Sequence, residues 1–123
     1  MRMLLAGVAA LSAVLQGAGL EEPRVVRIVA ERFTFTPSRI ELLAGENVEL
    51  VVKSDDTAHG LRISGTDIDT VVPKRGSGEI RVPVKIDQPG RYAFECSRVC
   101  GAGHDFMRGE LIVRPSAGGG AAR

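Results

Sequence analysis

The chain contains no tryptophan, one tyrosine and four phenylalanines in 123 residues. No basic patch is interleaved with aromatics, which excludes the usual footprint of a nucleic-acid-binding surface. Charge of one sign is also missing: 16 Lys and Arg face 15 Asp and Glu, leaving a formal net charge of +1. Long-range steering by net charge is therefore weak, and docking must rely on a local patch. No segment shows a long amphipathic helical period or an internal repeat. No nucleophile–base pair stands out, so no activity is expected from the chain by itself. Cysteine and histidine are scarce, with two of each. Three of those four residues fall in one stretch, Cys96-Ser-Arg-Val-Cys100-Gly-Ala-Gly-His104-Asp-Phe-Met107.

The length fits one domain. Residues 1–19 differ from the rest: Arg2, an apolar run from Met3 to Leu15, then Gly17, Ala18 and Gly19 ahead of Glu21 and Glu22. A positive start, an apolar middle and a small-residue end read as a secretory signal peptide. The run falls short of the ~20 apolar residues of a spanning helix, and an uncleaved N-terminal anchor is the competing reading. Residues 20–114 are expected to form the domain. Residues 115–123, rich in Gly and Ala, are expected to be a disordered tail.

Within the domain the pattern is strand and turn. Val25 to Ala30 is a β-branched run, Phe33 to Thr36 is extended before Pro37, and Ile40 to Leu43 is short. Val48, Leu50 and Val52 alternate with Glu49, Val51 and Lys53. Ile80, Val82, Val84 and Ile86 alternate cleanly, and Pro83 among them places that strand at a sheet edge. Asp87-Gln-Pro-Gly90 is a turn, followed by alternation of Tyr92, Phe94 and Cys96. Leu111 to Val113 closes the domain, and Ser64 to Ser77 reads as a loop carrying one short strand. Short strands with frequent turns predict an all-β sandwich or barrel.

Two close cysteines in an exported chain can form a disulfide. A bridge across so small a loop constrains the unfolded state little. Alternatively both thiolates face a metal. Soft thiolate and thioether donors suit copper(I), and imidazole suits copper well. Cys96, Cys100, His104 and Met107 supply that mixture. Zinc sites use four Cys or His ligands, and two Cys with one His fall short unless His59 joins. Met107 favours copper, against simple packing as the plainer reading. His59, after Ser54-Asp-Asp-Thr-Ala, reads either as a surface residue in a polar turn or as a donor. Loops at one end of a β-sandwich meet in space, which allows the second role.

The pattern Cys-x3-Cys-x3-His-x2-Met, with Asp56-x-x-His59 upstream, resembles the binuclear copper A site. That site belongs to the cupredoxins of cytochrome c oxidase subunit II and nitrous oxide reductase. Phe33-x-Phe35-x-Pro37, Ile40, Gly45, the Val48 to Val52 strand and His59-Gly60 are similar to cupredoxin sequences. The resemblance implies a cupredoxin-like Greek-key β-sandwich or barrel and two copper ions. Cys96 and Cys100 would bridge them; His59 and Met107 would complete one, and His104 and the backbone carbonyl of Arg98 the other. It implies a carrier of single electrons, placed in the periplasm or on the outer face of the cytoplasmic membrane. Partners would be a c-type cytochrome or an oxidase subunit, with membrane association through the N-terminus or a complex. Arg98 departs from the Glu typical of the oxidase subunit and the Trp typical of the reductase. Two other functions use the same residues: copper storage, delivery or sensing, and a metal-free, disulfide-bonded interaction domain.

Overall fold

A computed structural model describes residues 22–116. The expected signal peptide or anchor at 1–19 lies outside the described residues, as does most of the expected tail at 115–123. No helix among the described residues is long and apolar enough to cross a membrane.

Among the described residues nine strands form two sheets: β1 (Arg24–Glu31), β2 (Thr34–Thr36), β3 (Arg39–Leu43), β4 (Val48–Ser54), β5 (His59–Ile63), β6 (Asp69–Val72), β7 (Glu79–Val84), β8 (Gly90–Glu95) and β9 (Arg108–Arg114). One sheet runs β2-β1-β4-β7 and the other β3-β9-β8-β5-β6. The pairs β1–β4 and β3–β9 are parallel, and the others are antiparallel. The chain thus crosses between sheets repeatedly, as a Greek-key sandwich requires. Pro83 lies on β7, an edge strand, where its missing N–H breaks no interior ladder.

The core is the set of inward positions of both sheets: Ile28, Leu50 and Val52 from one, Leu61, Ile63, Phe94 and Leu111 from the other. Phe35 and Phe94 meet edge to face, with ring centres 5.3 Å apart and planes at 71°. This pairing favours aromatic quadrupoles and gives a chain without tryptophan its bulkiest contact. Truncating either ring is expected to cost about 3–5 kcal/mol.

In β4 and β9 strict alternation fails for one reason. Val51 and Ile112 face outward yet are buried. Val51 lies between Arg27 and Arg81, which pair with Glu79 and Glu49. Ile112 lies between Glu41 and Arg91, which pair with Arg114 and Glu110. Long charged side chains lay their apolar stems over these residues and keep their charges in water.

The β1–β2 turn, the β4–β5 loop, the β6–β7 loop and the β8–β9 loop gather at one end of the sandwich. Hydrogen bonds tie the first three together: Arg32 N–H to Asp56 Oδ2 at 2.8 Å and Arg75 N–H to Asp56 O at 2.9 Å.

Candidate metal centre

The β8–β9 loop begins where the ladder ends, at the Glu95–Arg108 pair. Cys96 N–H bonds Met107 O at 3.0 Å, so the two ends of the ligand stretch are pinned side by side. Inside it, Gly101 adopts φ +143°, open to glycine. A single 3-10 turn, His104–Phe106, follows. Met107 N–H bonds His104 O at 3.2 Å, so the histidine and methionine are fixed relative to each other. Phe33 packs beneath: a Cβ at Gly101 would lie 2.9 Å from its ring.

Both cysteines are buried and free, with sulfurs 3.7 Å apart. That separation is almost twice the roughly 2.04 Å of a disulfide, so this structure does not hold the disulfide of the interaction-domain reading. Around Cys96 Sγ lie Arg98 O at 3.0 Å and His59 Nδ1 at 3.9 Å. Around Cys100 Sγ lie His104 Nδ1 at 3.6 Å and Met107 Sδ at 3.8 Å. All six residues singled out from the sequence therefore meet at one place. The donor atoms of His59, Cys96 and Cys100 lie within 4.8 Å of one another. Arg98 contributes its carbonyl here, while its residue is exposed.

His59 is not in an exposed polar turn. It is the first residue of β5, pairs with Val72 and is 0% exposed. Asp56 Oδ1 accepts from His59 Nε2 at 2.7 Å. A carboxylate can only accept, so a ring proton sits on Nε2, and Nδ1 is the nitrogen turned towards the sulfurs. Asp56 is itself held, accepting from Arg32 N–H at 2.8 Å and Thr57 N–H at 2.7 Å. Burial pushes the Asp56 carboxyl up, but these N–H groups and His59 together outweigh it and hold the carboxyl below its ordinary value.

Gly60 lets the strand touch the loop. Its N–H points at Cys96 Sγ, 3.4 Å away. A Cβ there would overlap Ser97 Oγ and lie 2.9 Å from the backbone N of Ser97 and of Arg98. Ser97 is tied sideways to β6 by donating to Asp69 Oδ1 at 2.6 Å. Burial and the neighbouring Cys96 push the Cys100 thiol up to about 11. A metal-free site therefore keeps this sulfur protonated, and a metal must displace the proton.

The donor set fits copper: two thiols, a thioether, imidazole nitrogens and a carbonyl, mostly out of water. Sequence reasoning missed Arg32, which donates from Nε to Cys100 O at 2.8 Å. It is remote in sequence and exposed, and no local pattern marks it.

Two packed sheets with this site at one end define a cupredoxin. A family model described as "Cupredoxin-like domain" matches residues 2–113, and the chain belongs to that family. It is 32% identical over 89 residues to cytochrome c oxidase subunit 2 of Thermus thermophilus, covering 72% of this chain and 64% of that protein. A second subunit 2 from the same species is 32% identical over the same share of this chain and 52% of its own length. The chain thus spans less than two thirds of these relatives. Among solved structures, a chain of a heme-copper terminal oxidase dimer superposes with a TM-score of 0.66 at 26% identity, covering 74% of this chain and 65% of that one. The periplasmic domain of subunit II of cytochrome oxidase (CoxB) of Bradyrhizobium japonicum gives a TM-score of 0.69 at 11% identity, with 78% and 87% covered, a likeness of fold alone.

Proposed function

We propose that this chain is an exported domain that holds a binuclear copper centre and carries single electrons to or within a terminal oxidase. One observation above all supports the reading: two free, buried sulfurs 3.7 Å apart, each flanked by further donors. Two thiolates that close can be shared between two ions. A structural zinc site would have no use for a thioether and a carbonyl.

Cys96 and Cys100 would be shared, with His59 and Met107 on one ion and His104 and the Arg98 carbonyl on the other. Such a centre, when bound, supplies a one-electron couple delocalised over both metals. The residues of the chain hold the donors still so that little rearrangement accompanies transfer. Asp56 fixes the His59 ring, the Cys96–Met107 bond closes the loop, and Met107, 1% exposed, excludes water. Among the side-chain donors His104 is the one that is only partly buried. Val99 and Phe106, 82% and 80% exposed on the same loop, support docking of a redox partner, a c-type cytochrome or an oxidase subunit. The oxidase subunits among the relatives support the same partner class and an extracytoplasmic location.

The test is electron paramagnetic resonance of the copper-loaded chain with copper counted per chain. Two ions sharing one spin, seen as a seven-line hyperfine pattern, is the expected result. One ion with a four-line pattern would replace this reading with a mononuclear copper protein, and no bound copper would refute it.

A further inference from the structure

Arg32 belongs to neither sheet ladder's interior nor the ligand set, yet it touches both arms of the site. Its Nε donates to Cys100 O at 2.8 Å, across 68 residues of sequence. Its backbone N–H donates to Asp56 Oδ2 at 2.8 Å, and the other oxygen of Asp56 accepts from His59 at 2.7 Å. One residue of the β1–β2 turn thus links the ligand loop to the histidine that comes from a different sheet strand. The guanidinium lies against the loop closely enough that a Cβ at Gly101 would stand 3.6 Å from Nε. Among the described residues no carboxylate forms an ion pair with it. An unpaired cation beside a low-dielectric site acts on any charge placed there more strongly than one in water.

Resting on the copper reading above, we propose that Arg32 is a positioning residue of this centre: it braces Cys100 against the Asp56–His59 arm, and its positive charge raises the reduction potential. Reduction adds one electron to the site. A nearby cation stabilises the more negative state, so its removal must favour the oxidised form. The two parts separate by substitution. Arg32→Lys keeps the charge and loses the fixed Nε donor. Arg32→Gln keeps an N–H donor and loses the charge. In both, the backbone N–H to Asp56 remains.

The experiment is voltammetry of the copper-loaded full chain, wild type against both variants, with the resonance spectrum and urea midpoint of each. Arg32→Gln is expected to lower the preference for the reduced state about tenfold, about 59 mV for one electron. Arg32→Lys is expected to stay within about threefold of wild type, about 28 mV. Equal losses of stability in both variants with an unmoved potential would show a brace without electrostatic effect and overturn the proposal. If Arg32→Gln folds but takes up no copper, Arg32→Lys decides: loading at the wild-type potential supports the charge, and failure to load overturns it. A wild type that binds no copper overturns the copper reading itself. A normal wild-type spectrum with an unmoved Arg32→Gln potential overturns the role of Arg32 alone.

Discussion

Gly60→Ala tests how the ligand loop is held. The added Cβ would overlap Ser97 Oγ, which can rotate away. It would also lie 2.9 Å from the backbone N of Ser97 and of Arg98, which cannot. Ordinary contact begins near 3.4 Å, so strand and loop must part by about half an ångström. That shift acts on the Gly60 N–H to Cys96 Sγ contact, already 3.4 Å long, and on the Arg98 carbonyl, 3.0 Å from the same sulfur. Overpacking of this kind costs about 1–3 kcal/mol. Urea unfolding of the metal-free protein should show that loss. Copper loading should show a second, separate change: altered hyperfine splitting, because Cys96 and the Arg98 carbonyl move together. Val71→Ala, opposite Gly60 in the ladder but with its side chain half in water, is the control and should cost under about 1 kcal/mol. A Gly60→Ala protein with wild-type stability and an unchanged copper spectrum would refute the claim that loop and strand are in contact there.

Met107→Leu conserves volume at a fully buried site, so it should cost less than about 1.5 kcal/mol while shifting the reduction potential; an unmoved potential would make Met107 packing alone. Asp56→Asn removes the anion behind His59 and should weaken copper affinity about 10–100-fold by competition titration, with the fold retained. Glu46 accepts from Arg24 Nε at 2.9 Å and from Leu43 N–H at 3.0 Å, and the Arg24 guanidinium followed by that N–H holds its carboxyl below the ordinary 4.5. A folded value below the unfolded one means the stabilisation is complete above about pH 4.5 and is lost as pH falls through the lower folded value. Glu46→Gln should therefore cost about 1 kcal/mol at pH 7 by urea midpoint, and the gap to wild type should close in acid. A gap that stays constant down to pH 3 would rule out this linkage.

The strands were legible where one face is buried and the other wet. Ile80 to Val84 and Val48 to Val52 alternate because the sandwich has a single core, and Pro83 announced an edge. His59 was not legible as a strand residue. Its neighbours Asp56 and Thr57 read as a polar turn, and they are one; the strand begins at the histidine because Val72 pairs with it and Gly60 lies under the loop. Val51 was expected to face water by its period, and it does point outward, but arginine stems cover it. Cover by long flexible side chains has no signature in the pattern of apolar residues.

The site shows the same division. Donors clustered within one loop can be found by spacing, because a short loop leaves its residues few places to go. Groups that hold those donors come from wherever the fold brings a chain past, and spacing carries no trace of them. Arg32 is the clearest case. It stands 68 residues from the carbonyl it holds, and no local pattern of residues marks it. Its link to His59 runs through Asp56, and that link needs only the backbone N–H of residue 32, which any residue but proline supplies. The link to Cys100 needs the arginine side chain. The two halves of the site are therefore joined by one contact that sequence change cannot easily remove and one that a single substitution deletes. It follows that variation at position 32 should tune the electronic properties of the centre while leaving the placement of His59 intact.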